Sequence, residues 1–154
     1  MKTILVPLDL SAAAVQVCAA ACDLARLIGA RPILLHVVQA PPVMMSEVYA
    51  FDASQLSEMS SAAEKSAAHK LRALAHHCAK HGVKVTTVQR TGVPVTAILA
   101  RAVSTKARYI VMGSHGHGAM YDLLVGSTTH GVLKNAPCPV LVVPPPGRKA
   151  RKTT

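Results

Sequence analysis

Five short, strongly apolar runs recur along this chain, and the segments between them have the composition of helices. The first run, TILVPL (3–8), ends at Pro7 and Asp9 and reads as a buried strand. Ser11 then stands where an N-cap belongs, before an alanine-rich segment closed by Gly29. RPILLHVV (31–38) is the second strand, and the prolines at 41 and 42 turn the next stretch into a loop. From about Ser54 to His81 the pattern predicts one long helix, ended by Gly82. VKVTTVQR (83–90) alternates as an edge strand does, and Pro94 opens a helix to about Ser104. RYIVMG is a fourth strand, STTHGVLKN a short helix, and PCPVLVVP (137–144) a fifth strand bracketed by prolines. Strands alternating with helices demand a parallel sheet covered on both faces by right-handed crossovers. The unbroken apolar stretches at 4–8 and 109–112 suit strands buried on both sides.

Composition narrows the class further. A chain of 154 residues suggests one domain, placed at 1–145, with 146–154 a basic flexible tail. With one Phe, three Tyr and no Trp, the core must be aliphatic. No apolar stretch approaches the roughly 20 residues that span a bilayer, and the first residues lack a signal-peptide pattern, so the expectation is a cytoplasmic protein. Cys18, Cys22, Cys78 and Cys138 form no spaced framework. Cys18 and Cys22, one helical turn apart on an alanine-rich face, and Cys138 read as packed residues. The formal charge is +10, of which four positive charges lie in the last seven residues, leaving +6 for the body. Such a surface attracts polyanions, but no nucleic-acid motif or run of aromatic residues accompanies it, so nucleic acid is not the expected partner.

Residues 113–133, GSHGHGAMYDLLVGSTTHGVL, hold five of the nine glycines, immediately after a buried strand. Two phosphate motifs fail there. The Walker spacing begins at Gly113 and Gly118, but Ala119 and Met120 stand in place of Lys and Ser or Thr. Glycines at 113, 116 and 118 also miss the dinucleotide fingerprint. What the stretch does supply is a helix start at Gly126–Ser127, where free N–H groups and the positive dipole end attract an anion. Ser127, Thr128 and Thr129 add three hydroxyls. The competing reading is a tight turn whose glycines serve only a positive φ.

The spacing G113-x2-G116-x9-G126-S127 resembles the ATP-binding signature of the universal stress protein family. KTILVPLDLS, GVP with Ile and Ala at 92–100, YIVMGSHG at 109–116 and GSTTHGVLKNAPCPVLVVP at 126–144 resemble further parts of that family, so the likeness runs from Lys2 to Pro144. It implies a Rossmann-like fold of the adenine nucleotide alpha hydrolase kind, α/β, with a five-stranded parallel sheet in the order 3-2-1-4-5. It further implies that ATP, or AMP or ADP, lies where the first and fourth strands meet. Asp9 would then contact the ribose or a metal near the phosphates, with Mg as the metal. The Val37 backbone would meet the adenine, and Pro7 would shape the wall. Met112, Gly113, Gly116, Gly126 and Ser127 would cradle ribose and phosphates, with Thr128 nearby and His115 and His117 as further donors. Family members pair the last strand across a two-fold axis, which implies a homodimer through Val140 to Val143. Two departures stand out: Arg108 where the family often has an acidic residue, and Leu10 where it often has glycine.

Other candidates carry less. His77 and His81 have the i, i+4 spacing of metal ligands with His76 beside them, but no third ligand is near in sequence. His130 reads as a surface residue, and Met44 and Met45 as a cap over an adenine pocket or over the sheet edge. No lysine in the glycine loop offsets transition-state charge, so any ATP hydrolysis should be slow. The expectation is a nucleotide-binding regulator of the stress response. The alternatives are a partner-binding module that uses no nucleotide and an acidic-polymer binder.

Overall fold

A computed structural model describes residues 2–39, 53–114 and 125–145. Among these residues, five strands and four helices alternate: β1 (Lys2–Pro7), α1 (Ala14–Ile28), β2 (Ala30–Val38), α2 (Ala53–Lys80), β3 (Thr86–Thr91), α3 (Pro94–Ser104), β4 (Tyr109–Gly113), α4 (Ser127–Asn135) and β5 (Val140–Val143). The strands form one parallel sheet in the order β3-β2-β1-β4-β5. The class read from the sequence and the strand order implied by the resemblance are therefore both present.

Two apolar layers hold the sheet. Ile4, Val6, Leu34 and Val111 pack under α1 and the second half of α2, which supplies Leu71, Leu74 and Cys78. Leu5, Ile33, Leu35, Ile110 and Met112 point the other way, onto Ile98 and Ala102 of α3 and Val132 of α4. Successive residues of a strand face opposite sides, so a strand buried on both sides must be apolar throughout. At Gly131 an added Cβ would come within 2.9 Å of Val95 Cγ2, which is how α4 lies close against α3.

The helix start after β1 differs from the sequence reading. Ser11 is not the N-cap; Ala13 holds that position and offers no side-chain cap. An Asx turn takes the serine instead: the Ser11 N–H donates to Asp9 Oδ1 at 3.1 Å, and its carbonyl accepts the Ala14 N–H at 3.0 Å. β5 is also shorter than the apolar run around it, because Pro139 has no N–H for the ladder. Its carbonyl still accepts from Ile110 at 3.0 Å. Gly29 closes α1 in the left-handed region, φ 64°, with its N–H on the Ala25 carbonyl.

All four cysteines are free thiols, and Cys18, Cys22 and Cys78 are buried together between α1 and α2. Burial, helped by a hydrogen bond to Cys78, pushes the Cys22 thiol up to about 12. The Cys78 thiol is raised further, first by its hydrogen bond with Cys18 and then by burial. These groups fold as thiols and ionise only after unfolding. For an acid whose pKa is raised in the folded state, the contribution to stability is complete below about pH 8.5 and declines as pH climbs beyond it. A thiol-labelling time course at pH 8 should thus modify at most the half-buried Cys138 quickly, with the other three reacting only in denaturant. Fast labelling of three or more thiols in the native protein would contradict this packing.

Candidate functional site

Strand order reverses between β1 and β4. The chain leaves β1 for α1 on one face and leaves β4 toward α4 on the other, which opens a crevice at the carboxyl ends of these two strands. Pro7 ends β1, buried and paired with Leu35. One residue on, the Leu8 N–H donates to the Leu35 carbonyl at 2.8 Å, and the Leu8 carbonyl meets His36 Nδ1 at 2.8 Å. A carbonyl only accepts, so the His36 ring carries a proton on Nδ1. His36 thus pins the start of the Asp9 loop to β2, a role for which its place in the sequence offers no sign.

Asp9 comes next, half-buried, with Oδ1 accepting from Ser11. Leu10 then adopts φ 61°, a left-handed conformation that costs a non-glycine residue roughly 1–2 kcal/mol. This explains why a glycine suits the position. Here the leucine side chain packs against the α1-side core instead, and that contact offsets the strain.

Val37 contributes backbone. In a parallel strand, N–H and C=O of one residue face the same neighbour, and alternate residues face opposite neighbours. The Leu35 carbonyl faces β1, where Leu8 uses it, and the Val38 carbonyl faces β3, where Gly92 donates to it at 3.0 Å. Val37 accordingly turns its N–H and C=O toward β1, beyond the point where β1 stops at Pro7. Among the described residues no strand pairs with them.

On the other wall, Met112 is buried toward α3 and α4, and Gly113 ends β4 opposite Val143. Ser114 is buried, with its N–H on the Val143 carbonyl at 2.9 Å and its own carbonyl accepting the Gly126 N–H at 2.8 Å. That bond closes the base of the glycine loop. His115, Gly116 and His117 lie outside the described residues, as do Met44 and Met45. Gly126 is the N-cap of α4, with φ −68° and ψ 159°. Ser127 is exposed and Thr128 half-buried, and the N–H groups of this first turn have no partner within the helix.

Thr129 corrects one expectation. Its hydroxyl is not a spare donor for a ligand: it is buried and donates to the Gly113 carbonyl at 2.8 Å, tying α4 to the end of β4. Replacing it with valine keeps the shape and strands that carbonyl. Thr129→Val should cost about 1–3 kcal/mol in a denaturant titration. A loss below about 0.5 kcal/mol would show that the bond contributes little. His130 is exposed, as expected, and its N–H joins the helix at the Gly126 carbonyl, 2.8 Å. His77, in the last turn of α2, and His81, just past its end, are 4.7 Å apart, ring to ring, and among the described residues no three His, Cys, Asp or Glu side chains are placed to hold a metal.

The sequence model of the universal stress protein family matches residues 1–144. A universal stress protein of Thermus aquaticus, from the QAH/OAS sulfhydrylase 3′ region, is 36% identical over 143 residues, covering 92% of this chain and 98% of its own. The solved universal stress protein UspA from Lactobacillus plantarum is 28% identical, covers 92% of this chain and 97% of its own, and superposes with a TM-score of 0.79. A universal stress protein from Archaeoglobus fulgidus, solved in complex with dAMP, shares the fold at 21% identity and a TM-score of 0.65, covering 92% of this chain and 97% of its own.

Proposed function

This chain belongs to the universal stress protein family, and we propose that within it the protein is a cytoplasmic, adenine-nucleotide-binding regulator of the stress response. One observation carries the reading. Neither Gly113 nor Gly126 has a positive φ: the first is extended strand and the second has dihedrals that any residue adopts. A tight turn therefore does not explain them. Without side chains, they leave the first-turn amides of α4 uncovered at the mouth of the crevice, as phosphate oxygens require.

In this reading ATP, or AMP or ADP, lies over the switch point. Its base meets the Val37 N–H and C=O, and its ribose lies by Pro7, Asp9 and Met112. The phosphates lie over Gly113 and Gly126 and take the amides that open α4, beginning at Ser127, with the Thr128 hydroxyl close by. His115, Gly116 and His117, next in sequence after Ser114, would be the remaining contacts in this reading. A magnesium ion arriving with the triphosphate would use the Asp9 carboxylate. The dAMP bound by the Archaeoglobus fulgidus relative is in keeping with an adenine ligand. Because β5 lies at a sheet edge with Leu141 exposed, it can pair with its own copy, and the dimer runs through Val140 to Val143. Monomer in a sedimentation run at micromolar concentration would remove the dimer.

Thermal melting with ATP is the test. A ligand at about 100 times its Kd adds roughly 2.7 kcal/mol, a rise of several degrees for a domain this size. A melting temperature unmoved by millimolar ATP, in protein that carries no nucleotide from purification, would mean a partner-binding module instead.

A further inference from the structure

In a parallel α/β fold every strand begins at one end and every helix finishes there. That end lies opposite the nucleotide crevice. Lys2, Arg31, Lys84 and Arg108 stand there at or just before the starts of β1 to β4, all exposed. Arg26, Lys80, Lys106 and Lys134 join them at the last turns of the four helices or just beyond, also exposed. Strand register aligns part of this set. Arg31 pairs with Thr3, and the Thr3 carbonyl accepts the Arg108 N–H at 2.8 Å. Because Thr86 pairs with Ile33, Lys84 falls opposite Arg31. The row from Lys84 to Arg108 crosses four strands, or about 15 Å.

Cations beside helix C-termini have an ordinary use, and two of the eight serve it. Lys2 reaches the Ile28 carbonyl at 3.3 Å, and Arg26 reaches that of His81 at 3.4 Å. The remaining six side chains make no hydrogen bond or ion pair among the described residues. Asp23, bound to Arg26, is the one described carboxylate at this end. Among the cations sit three large apolar residues in the last turns of α1, α3 and α4: Leu27, 83% exposed, Val103, 63%, and Leu133, 45%. Cations around exposed aliphatic side chains are the chemistry of an anionic lipid surface.

We infer that this end of the molecule docks on an anionic membrane surface, with the cations against lipid phosphates and Leu27 and Val103 dipping among the headgroups. A nucleic-acid duplex fits less well. The charges lie on both sides of the sheet, across an end rather than along a groove. Tyr109, the tyrosine there, is packed against the core rather than offered to bases. The site is independent of the nucleotide reading, so either can fail alone.

Flotation of the full chain with vesicles tests it, using phosphatidylcholine with and without about 30% phosphatidylglycerol. The protein should bind only the anionic vesicles and be released by about 0.5 M salt. Arg31→Gln/Lys84→Gln/Arg108→Gln should weaken binding roughly a hundredfold, with the melting curve and ATP response kept. Leu27→Ser/Val103→Ser, a pair of exposed changes, should weaken it several-fold without altering its salt dependence. All variants retain residues 146–154, so binding unaffected by the triple change would overturn the proposal. Equal binding to neutral vesicles would do the same. So would a duplex DNA bound more tightly than the vesicles, with the Leu27/Val103 variant unaffected.

Discussion

Gly126→Val should fold with nearly wild-type stability and bind ATP at least tenfold more weakly. The two halves of this expectation have separate causes. Gly126 sits at φ −68° and ψ 159°, where valine is at ease, so the backbone loses nothing. Its N–H donates to the Ser114 carbonyl at 2.8 Å, a bond that valine can also make. What valine adds is a branched side chain over the amides that begin α4, and a phosphate oxygen must come within about 3 Å of those amides. Losing even one charge-assisted hydrogen bond costs about 1.5–3 kcal/mol, which is ten- to hundredfold in affinity. Circular dichroism and a titration of the purified variant read both halves. An ATP affinity equal to wild type would remove Gly126 from the site.

The largest stability effect is expected in the central strand. Leu5 has no exposed surface, and β1 pairs on both sides, with β2 and β4. Its side chain fills the layer between the sheet and α3 and α4. Leu5→Ala removes three carbons and leaves a cavity that the flanking strands cannot collapse, a loss of roughly 3–4 kcal/mol. For a domain with roughly 5–15 kcal/mol in all, that is a large share. The crevice lies at the far end of the same strand, so saturating ATP should recover part of the lost melting temperature. A denaturant titration gives the loss directly, and a value under about 1.5 kcal/mol would mean the core relaxes around the gap.

Much of this fold is legible in the residues themselves. TILVPL and RYIVM are apolar almost throughout, which only a strand covered on both faces needs, and Leu5 and Val6 do point into different layers. The ends of elements are harder to read. Ser11 has the chemistry of a cap, but its N–H and C=O are taken by the turn between Asp9 and Ala14, and the helix begins only after Ala13. Thr129 looks like a ligand hydroxyl because it stands next to Ser127 and Thr128. Only the helix geometry shows that it faces back to Gly113. His36 carries no signal at all, since its partner is a main-chain carbonyl 28 positions away. Strand order, which sets Asp9 beside Gly113, is a non-local property that the residues alone do not dictate. The family resemblance supplies it, and the sheet has that order.

A structure of this protein grown with ATP tests the central claim most directly. The nucleotide should lie between the ends of β1 and β4, its base on the Val37 main chain and its phosphates beside Gly126 on the amides that open α4 from Ser127. A nucleotide bound elsewhere, or a crevice filled by the chain's own side chains, would contradict that placement.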